Sequence, residues 1–326
     1  NKCVFFFNSD SFLNFKEFQA LTRALFCNED GKPYKVDDKR VEEMFAIFDT
    51  NKDKKIDFNE FKVCWNEWIK QILSPVSALL VIDVQNDFIS GSLSLKNCAA
   101  KQDGNDIIPV VNSLLDSVPF DLVVYTYDWH PSNHVSFFEN IEMRKLDKSN
   151  KVKMADAKVL DTVIFEGPPV NEQILWPAHC IQGSWGAKLH PDLKVVDKAV
   201  EIYKGVNPDV DSYSAFWDNR KMSETKLLKE LRDRNITDVY VCGLAFDVCV
   251  AHTAFHAIEH GFRTTLIDDA CRGVSEEGVE RTVARVKQNY GVVTTSEKVY
   301  SMVLAKDRRP ELGYQAALQV AAKLVH

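Results

Sequence analysis

The residues best equipped for chemistry are one cysteine and a small set of histidines. Val239 to Ala254 reads as a short apolar, β-branched strand, a tight turn at Gly243, and a helix whose first turn carries Cys249. A thiol there feels unpaired helix N–H groups, which favour the thiolate and lower the thiol pKa. The same N–H groups can hold the oxyanion that develops on a carbonyl attacked by Cys249. Without partners elsewhere, such a cysteine is only a buried core residue. Asp128-Trp129-His130 offers a second chemistry, because residues i and i+2 of extended chain point to one side and can grip one ion. His134 is near enough to join them or to hold a bound water. His179, in Leu175-Trp176-Pro177-Ala178-His179-Cys180, is a third clear ligand candidate. One acid with two or three imidazoles suits a first-row divalent cation with open positions.

Groups so scattered in sequence need strands to gather them. Ala78 to Val84 is a continuous apolar run ending near an acid, Asp83, as expected of a strand buried on both faces of a parallel sheet. Helical periodicity follows at Ile107, Ile108, Val111, Leu114 and Leu115, then a second apolar run from Leu122 to Tyr127. Strand and helix patterns alternate again over 199–204, 223–235, 237–243, 248–260, 263–268, 275–289 and 292–295. This alternation predicts a doubly wound, mainly parallel α/β sheet with helices on both faces. Ligands bind such sheets at the carboxyl ends of the strands, where Asp83, Asp128, Lys204 and the Cys249 turn all fall.

At 326 residues the chain exceeds one ordinary domain, so one small and one large domain are expected. The hydrophobic content of 45% and charged content of 27% are those of a globular, soluble protein. A net charge of −7, with no dense field of Lys and Arg, argues against nucleic acid as a partner. No apolar run is long enough to span a bilayer, which argues against a membrane. The eight cysteines are scattered without a C-x-x-C pair. With no signal peptide in view, reduced thiols and a cytoplasmic setting are expected, with the nucleus as a second one. All eight histidines lie after residue 129, so histidine chemistry belongs to the second domain.

The first domain is expected over residues 1–74, ended by Ser74-Pro75, because the residue before proline is pushed out of the helical region. Its loop from Asp49 to Glu60 carries the calcium ligand pattern of an EF-hand: Asp49, Asn51, Asp53, the Lys55 carbonyl, Asp57 and bidentate Glu60. Helical patterns flank it, with Phe45 and Phe48 before and Phe61, Trp65 and Trp68 after. Lys54 stands where glycine is normal, at a cost of roughly 1 kcal/mol, and weakens the site. An upstream hand is degenerate, since Asn8 and Asp10 fit but Phe6 occupies its first ligand position. The domain is therefore read as all-α, with calcium at the second loop.

Over about residues 78–300 the chain resembles the nicotinamidases of the isochorismatase-like cysteine hydrolase superfamily. The resemblance rests on Val81-Ile82-Asp83-Val84-Gln85-Asn86-Asp87-Phe88, Asp128-Trp129-His130 through His134, Trp176-Pro177-Ala178-His179-Cys180, and Gly243-Leu244-Ala245 through Cys249, with Lys204 in Tyr203-Lys204-Gly205. It extends to the EF-hand segment, which is similar to that of animal, especially insect, nicotinamidases. It implies a hydrolase domain over 75–326 and a triad of Asp83, Lys204 and Cys249. In that triad Asp83 moves the thiol proton and Lys204 orients Asp83 and holds it ionised. It further implies an oxyanion hole from the Ala245 and Cys249 N–H groups, aided by a cis peptide at Leu244–Ala245. The metal ligands carried over are Asp128, His130 and His179, with His134 direct in some members only, and zinc, iron or manganese as the ion. Phe88 and Trp176 match the walls that sandwich the pyridine ring. The implied reaction converts nicotinamide, or a related pyridine carboxamide, to the acid and ammonia, feeding NAD salvage, in a chain that could act as a homo-oligomer.

Two other readings compete: another amidase or isochorismatase-type hydrolase of the superfamily, and a calcium-responsive binding protein on an inactive hydrolase fold. The cysteine together with the Asp-x-His and Trp-Pro-x-His-Cys set favours the nicotinamidase over the first. Retention of triad and ligands together speaks against the second. The lysine-rich stretch 135–170 is read as a solvated excursion or a flap over the site. His190, His252, His256 and His260 are assigned to structure.

Overall fold

The computed structural model describes residues 12–167 and 170–324. Its centre is a six-stranded, wholly parallel sheet formed by β3 (Ser77–Ile82), β4 (Leu122–Asp128), β7 (Val200–Lys204), β8 (Asp238–Leu244), β9 (Arg263–Arg272) and β10 (Val292–Thr294), in the spatial order β10-β9-β8-β3-β4-β7. The three central runs are apolar because both faces are covered: β3 and β8 are buried at every position, and β4 at all but one. Helices α5 (Asn86–Ile89), α6 (Ile107–Ser117), α7 (Leu227–Asp233), α8 (Ala251–Glu259), α9 (Glu276–Gln288) and α10 (Ser296–Val303) connect the strands. Helix α6 pairs with α10, and α6, α8 and α10 pack against β9, while α9 packs on β10 and α8. The doubly wound architecture expected from the alternation is thus present, and each strand–helix pattern named above contains an element. The chain leaves β3 for β4 and β7 on one side, then returns for β8 on the other, which opens a crevice between them at the carboxyl ends.

Gly243 is not in a turn, as its sequence context suggested, but is the penultimate residue of β8. It has φ 121°, and a Cβ there would lie 2.1 Å from the Ile82 carbonyl oxygen. Close approach of two backbones is what demands glycine.

The amino-terminal module consists of β1 (Leu13–Asn14), α1 (Phe15–Leu25), α2 (Asp38–Phe48), β2 (Lys55–Ile56) and an exit helix. The last runs continuously through α3 (Phe58–Val63), a π-helical turn (Cys64–Ile69) and α4 (Lys70–Leu73). Asn14 and Asp57 start α1 and α3 with reciprocal capping boxes to Glu17 and Glu60. The module is helical as expected, with one two-residue pairing between its loops, Leu13 and Asn14 lying antiparallel to Ile56 and Lys55. One later element crosses the division expected after residue 74. The last helix, α11 (Pro310–Leu324), puts Tyr314, Ala316, Ala317 and Val320 into the module's core beside Phe18, Phe45, Phe48 and Trp68.

The stretch after His134 is more than a solvated excursion. The hairpin β5 (Thr162–Phe165) with β6 (Asn171–Ile174) closes a small core of its own, made by Val135, Ile141, Val163, Phe165 and Leu175. No described helix is long and apolar enough to cross a membrane. The described cysteines are all free thiols.

Candidate active site

Four parallel strands deliver four groups to one edge of the sheet. Asp83 follows β3, Asp128 ends β4, Lys204 ends β7, and Cys249 follows β8 across a π-helical turn, Phe246–Val250. The register pairs Asp128 directly with Lys204, so an ion pair follows from the ladder itself. Lys204 Nζ lies 2.5 Å from Asp128 Oδ1 and 2.8 Å from Asp83 Oδ2. It also donates to the Ser212 carbonyl at 3.0 Å and approaches Cys249 Sγ at 3.4 Å. Its contact with Asp83 Oδ2 is an ion pair that lacks hydrogen-bond alignment. Asp83, in the left-handed region at φ 46°, accepts the Thr126 hydroxyl on Oδ1 at 2.5 Å. Ligating atoms of Asp83, Asp128 and Cys249 all fall within 4.8 Å of one another.

The electrostatics correct two expectations. Burial pushes the Cys249 thiol well above its usual range; Lys204 offsets this only in part, and Asp83 and Asp128 add to it. The resting group is the thiol, and the first-turn field does not ionise it in advance. Burial likewise raises Asp83 despite Lys204, whereas at Asp128 the charges of Lys204 and His130 overcome burial and hold the carboxyl well below its usual range. Lys204, itself held well above its usual value by the two carboxylates against burial, therefore secures Asp128 as an anion more firmly than Asp83.

Beside the lysine, Asp128 Oδ2 stands 3.3 Å from His130 Nε2 and 3.6 Å from His179 Nε2. Each of these imidazoles donates its Nδ1–H to a carbonyl, His130 to Gly205 at 2.9 Å and His179 to Pro177 at 2.7 Å. With Nδ1 committed as a donor, each Nε2 faces Asp128 and can give its lone pair to a cation in place of a proton, the arrangement that metal-ligating histidines adopt. Gly205 is required at this point: its φ is 66°, and a Cβ would come within 2.3 Å of the His130 ring. His134 stacks on His130 with centroids 4.1 Å apart, and its buried Nε2 has no partner among the described residues. Burial, aided by His130, lowers His134 to about 3, so it is neutral near pH 7. Two buried Nε2 atoms, one anionic carboxylate and an orphaned ring nitrogen suit a divalent cation of the first transition row.

A cleft opens onto this set. Phe88, Trp176, Ala245 and Cys249 line it with Asp128 and His179, and so do Asp211 and Tyr213. The Leu244–Ala245 peptide is cis, and the Ala245 N–H carries no hydrogen bond among the described residues. Sequence reasoning missed Thr126, Gln85, Asp211 and Tyr213. Thr126 had a signal: a polar residue two before Asp128 in an apolar strand must share its face. Gln85 clamps the strand end, donating to the Asp128 carbonyl at 2.8 Å and accepting its N–H at 2.9 Å. His252, His256 and His260 stay away from the cleft; His256 accepts Trp217 Nε1–H at 2.9 Å.

In the amino-terminal loop, Lys54 takes φ 68°, the conformation its position requires, and Lys52 takes φ 61°. Asp49 accepts the Asp53 and Lys54 N–H groups at 3.1 and 3.0 Å. Asn51 accepts from Asp53 N–H at 2.9 Å, and Asp53 from Lys55 N–H at 2.9 Å. Asp57 caps α3. Glu60 Oε1 accepts from Thr50 and Asn51, and Oε2 from the Asp57 N–H at 2.9 Å. The upstream loop with Phe6, Asn8 and Asp10 lies outside the described residues.

Comparison with known proteins gives these features a family. Residues 77–298 match the isochorismatase domain and residues 7–62 an EF-hand domain pair. A nicotinamidase of Acinetobacter baylyi is 39% identical over 201 residues, 62% of this chain and 83% of that protein. The yeast nicotinamidase bound to the inhibitor nicotinaldehyde superimposes with a TM-score of 0.55 at 29% identity, covering 67% of this chain and 99% of that one. The pyrazinamidase of Pyrococcus horikoshii in complex with zinc gives 0.50 at 30% identity, covering 68% and 99%. A domain match over more than half of its length, on the fold and strand-end site described above, makes this chain a member of the isochorismatase-domain family, with an EF-hand pair joined to it.

Proposed function

We propose that the chain is a nicotinamidase, hydrolysing nicotinamide to nicotinic acid and ammonia through a thioester on Cys249. The observation that carries this reading is the convergence of Cys249, Asp83 and Lys204 with the Asp128, His130 and His179 set on one cleft between Phe88 and Trp176. Asp83 takes the thiol proton as sulfur attacks the carboxamide carbon, and the oxyanion meets the Ala245 and Cys249 N–H groups. Asp83 returns that proton to the nitrogen, ammonia departs, and a thioester remains. Water then adds to the thioester with Asp83 taking its proton, and cleavage of the carbon–sulfur bond frees the acid and restores the thiol. Lys204 holds the two carboxylates apart from each other and beside the sulfur throughout. Phe88 and Trp176 stack on the ring. Asp128, His130 and His179 would hold the metal, with His134 next to it, and the metal supplies an anchor for the pyridine nitrogen; the zinc-bound relative favours zinc among zinc, iron and manganese. Release of ammonia from nicotinamide before and after chelation tests the assignment. An inactive, metal-replete protein would favour the binding-protein alternative instead.

His179→Ala is expected to deplete bound metal and raise KM for nicotinamide, whereas His256→Ala, on the α8 face, leaves both near wild type. Metal analysis finding equal occupancy in the two variants would remove His179 from the ligand set.

We also assign calcium to the loop 49–60, with Asp49, Asn51, Asp53, the Lys55 carbonyl, Asp57 and Glu60 as ligands. The loop backbone is already wound for it at Lys54, and the matched EF-hand pair supports the reading. Glu60 must turn from its N–H donors to ligate, so binding weaker than in buffer-type hands is expected. Glu60→Gln should lower calcium affinity and the thermal stability of this module. It should change nicotinamide turnover by less than about threefold, roughly 0.65 kcal/mol in barrier. A large calcium-dependent swing in wild-type turnover, abolished by Glu60→Gln, would instead make the hand a catalytic switch.

A further inference from the structure

EF-hand pairs commonly present an apolar groove to an amphipathic helix of a partner. In this chain the groove is filled from within. The side chains of Phe18, Leu25, Phe26, Met44, Phe48 and Trp68 form one buried cluster with the apolar face of α11. Trp68 donates its indole N–H to the Gly313 carbonyl at 2.7 Å in a buried contact. Gly313 lies inside a helix, where glycine costs roughly 1 kcal/mol relative to alanine. The reason is local: a Cβ there would lie 2.1 Å from the Phe26 ring. The groove and the helix are fitted to each other.

The opposite face of α11 belongs to the hydrolase. Leu312 is buried in its core, and Gln315 donates to the Phe262 carbonyl at 3.0 Å and accepts the Thr264 N–H at 3.4 Å. Just before the helix, Arg308 donates to the Leu25 and Ala24 carbonyls at the end of α1. The helix is thus a fixed platform. Against it rests the exit helix, which begins at the calcium loop: Glu60 lies in its first turn and Trp68 eight residues further along the same continuous helix. A displacement of that helix on Glu60 ligation would reach the Trp68–Gly313 contact.

We infer that α11 is the resident helical ligand of the EF-hand groove and that its docking is linked to calcium binding at 49–60, each strengthening the other. The inference rests on the calcium assignment above. Its sign follows from the loop geometry. With α11 in place, Lys54 already holds the left-handed turn and Ile56 is paired with Leu13, so only Glu60 remains to be redirected. The docked helix prepays the ordering of the exit helix, and linkage makes the effect reciprocal. The module accordingly serves as a clamp on the carboxyl-terminal helix rather than as a receptor for a separate protein.

Calorimetric titration of calcium into the full chain tests this, with Trp68→Phe and Gly313→Ala as variants that loosen the contact and Ala322→Ser as a change on the exposed part of α11. The expected result is a calcium Kd raised about fivefold or more in the first two, the lower end of ordinary coupling, and unchanged in the third. In the unaltered chain, amide hydrogen exchange along α11 should slow by a comparable factor when calcium is added. Nicotinamide turnover near wild type in each variant reports that the hydrolase is folded. Equal calcium affinity in all four proteins, with no change in α11 exchange, overturns the linkage and leaves the calcium assignment standing. No calcium binding by the wild-type chain overturns both.

Discussion

Cys249→Ala is expected to lower ammonia release from nicotinamide by at least about 10⁴-fold while the protein stays folded and keeps its metal. Among the described residues the nucleophile is the only sulfur within reach of Lys204 Nζ, at 3.4 Å, that also lines the cleft. Of the neighbouring groups, Asp83 accepts from Thr126 and is paired with Lys204, and Tyr213 is held as a neutral phenol by burial, so neither replaces the thiol as nucleophile. Loss of one buried sulfur from a small residue should cost only about 1 kcal/mol of stability. Asp83→Asn should fall nearly as far in kcat, since it keeps the shape and removes the proton acceptor. The check is paired: single-turnover rates with nicotinamide, and metal content with thermal unfolding. Near wild-type ammonia release by Cys249→Ala would eliminate the thioester.

Lys204→Met should damage folding and catalysis together. The lysine side chain is 0% exposed and is the cation shared by two buried carboxylates, Asp83 at 2.8 Å and Asp128 at 2.5 Å. Removing it leaves both acids without their counter-charge, at a cost of about 3–5 kcal/mol. The pH dependence follows from the shifts. In the wild type Lys204 lies well above its ordinary 10.5, so its stabilisation is complete below that value and is lost as pH rises through the folded-state value. Asp128, held well below its ordinary 3.8, contributes above that value and loses its contribution as pH falls. Without Lys204 both carboxyls move upward, so the variant's deficit should be largest near neutral pH and shrink on acidification. Denaturant midpoints across that range decide it. A midpoint equal to wild type at neutral pH would mean that the lysine is not the balancing charge.

Much of this protein follows from local sequence because local chemistry decides it. The apolar runs at 78–84, 122–127 and 237–243 admit only strands covered on both faces, and the helical periodicities between them require crossovers. The doubly wound sheet follows, and with it the rule that Asp83, Asp128, Lys204 and Cys249 meet at one edge. The Asp49–Glu60 spacing and the Asp-x-His pair are likewise local, since loop and strand geometry bring their members together whatever the rest of the chain does. What sequence spacing cannot supply is register, burial and long-range contact. Only the ladder between β4 and β7 sets Asp128 opposite Lys204, which turned the lysine from a partner of Asp83 into a bridge between both carboxylates. Only burial in the assembled cleft could reverse the expected effect of the helix turn on Cys249, because a fully desolvated thiol outweighs the field of a few N–H groups. The last helix makes the same point on a larger scale. Nothing in its own residues assigns α11 to the amino-terminal module, and Gly313 becomes intelligible only when the Phe26 ring, nearly three hundred residues earlier, is seen to occupy the space of its missing side chain.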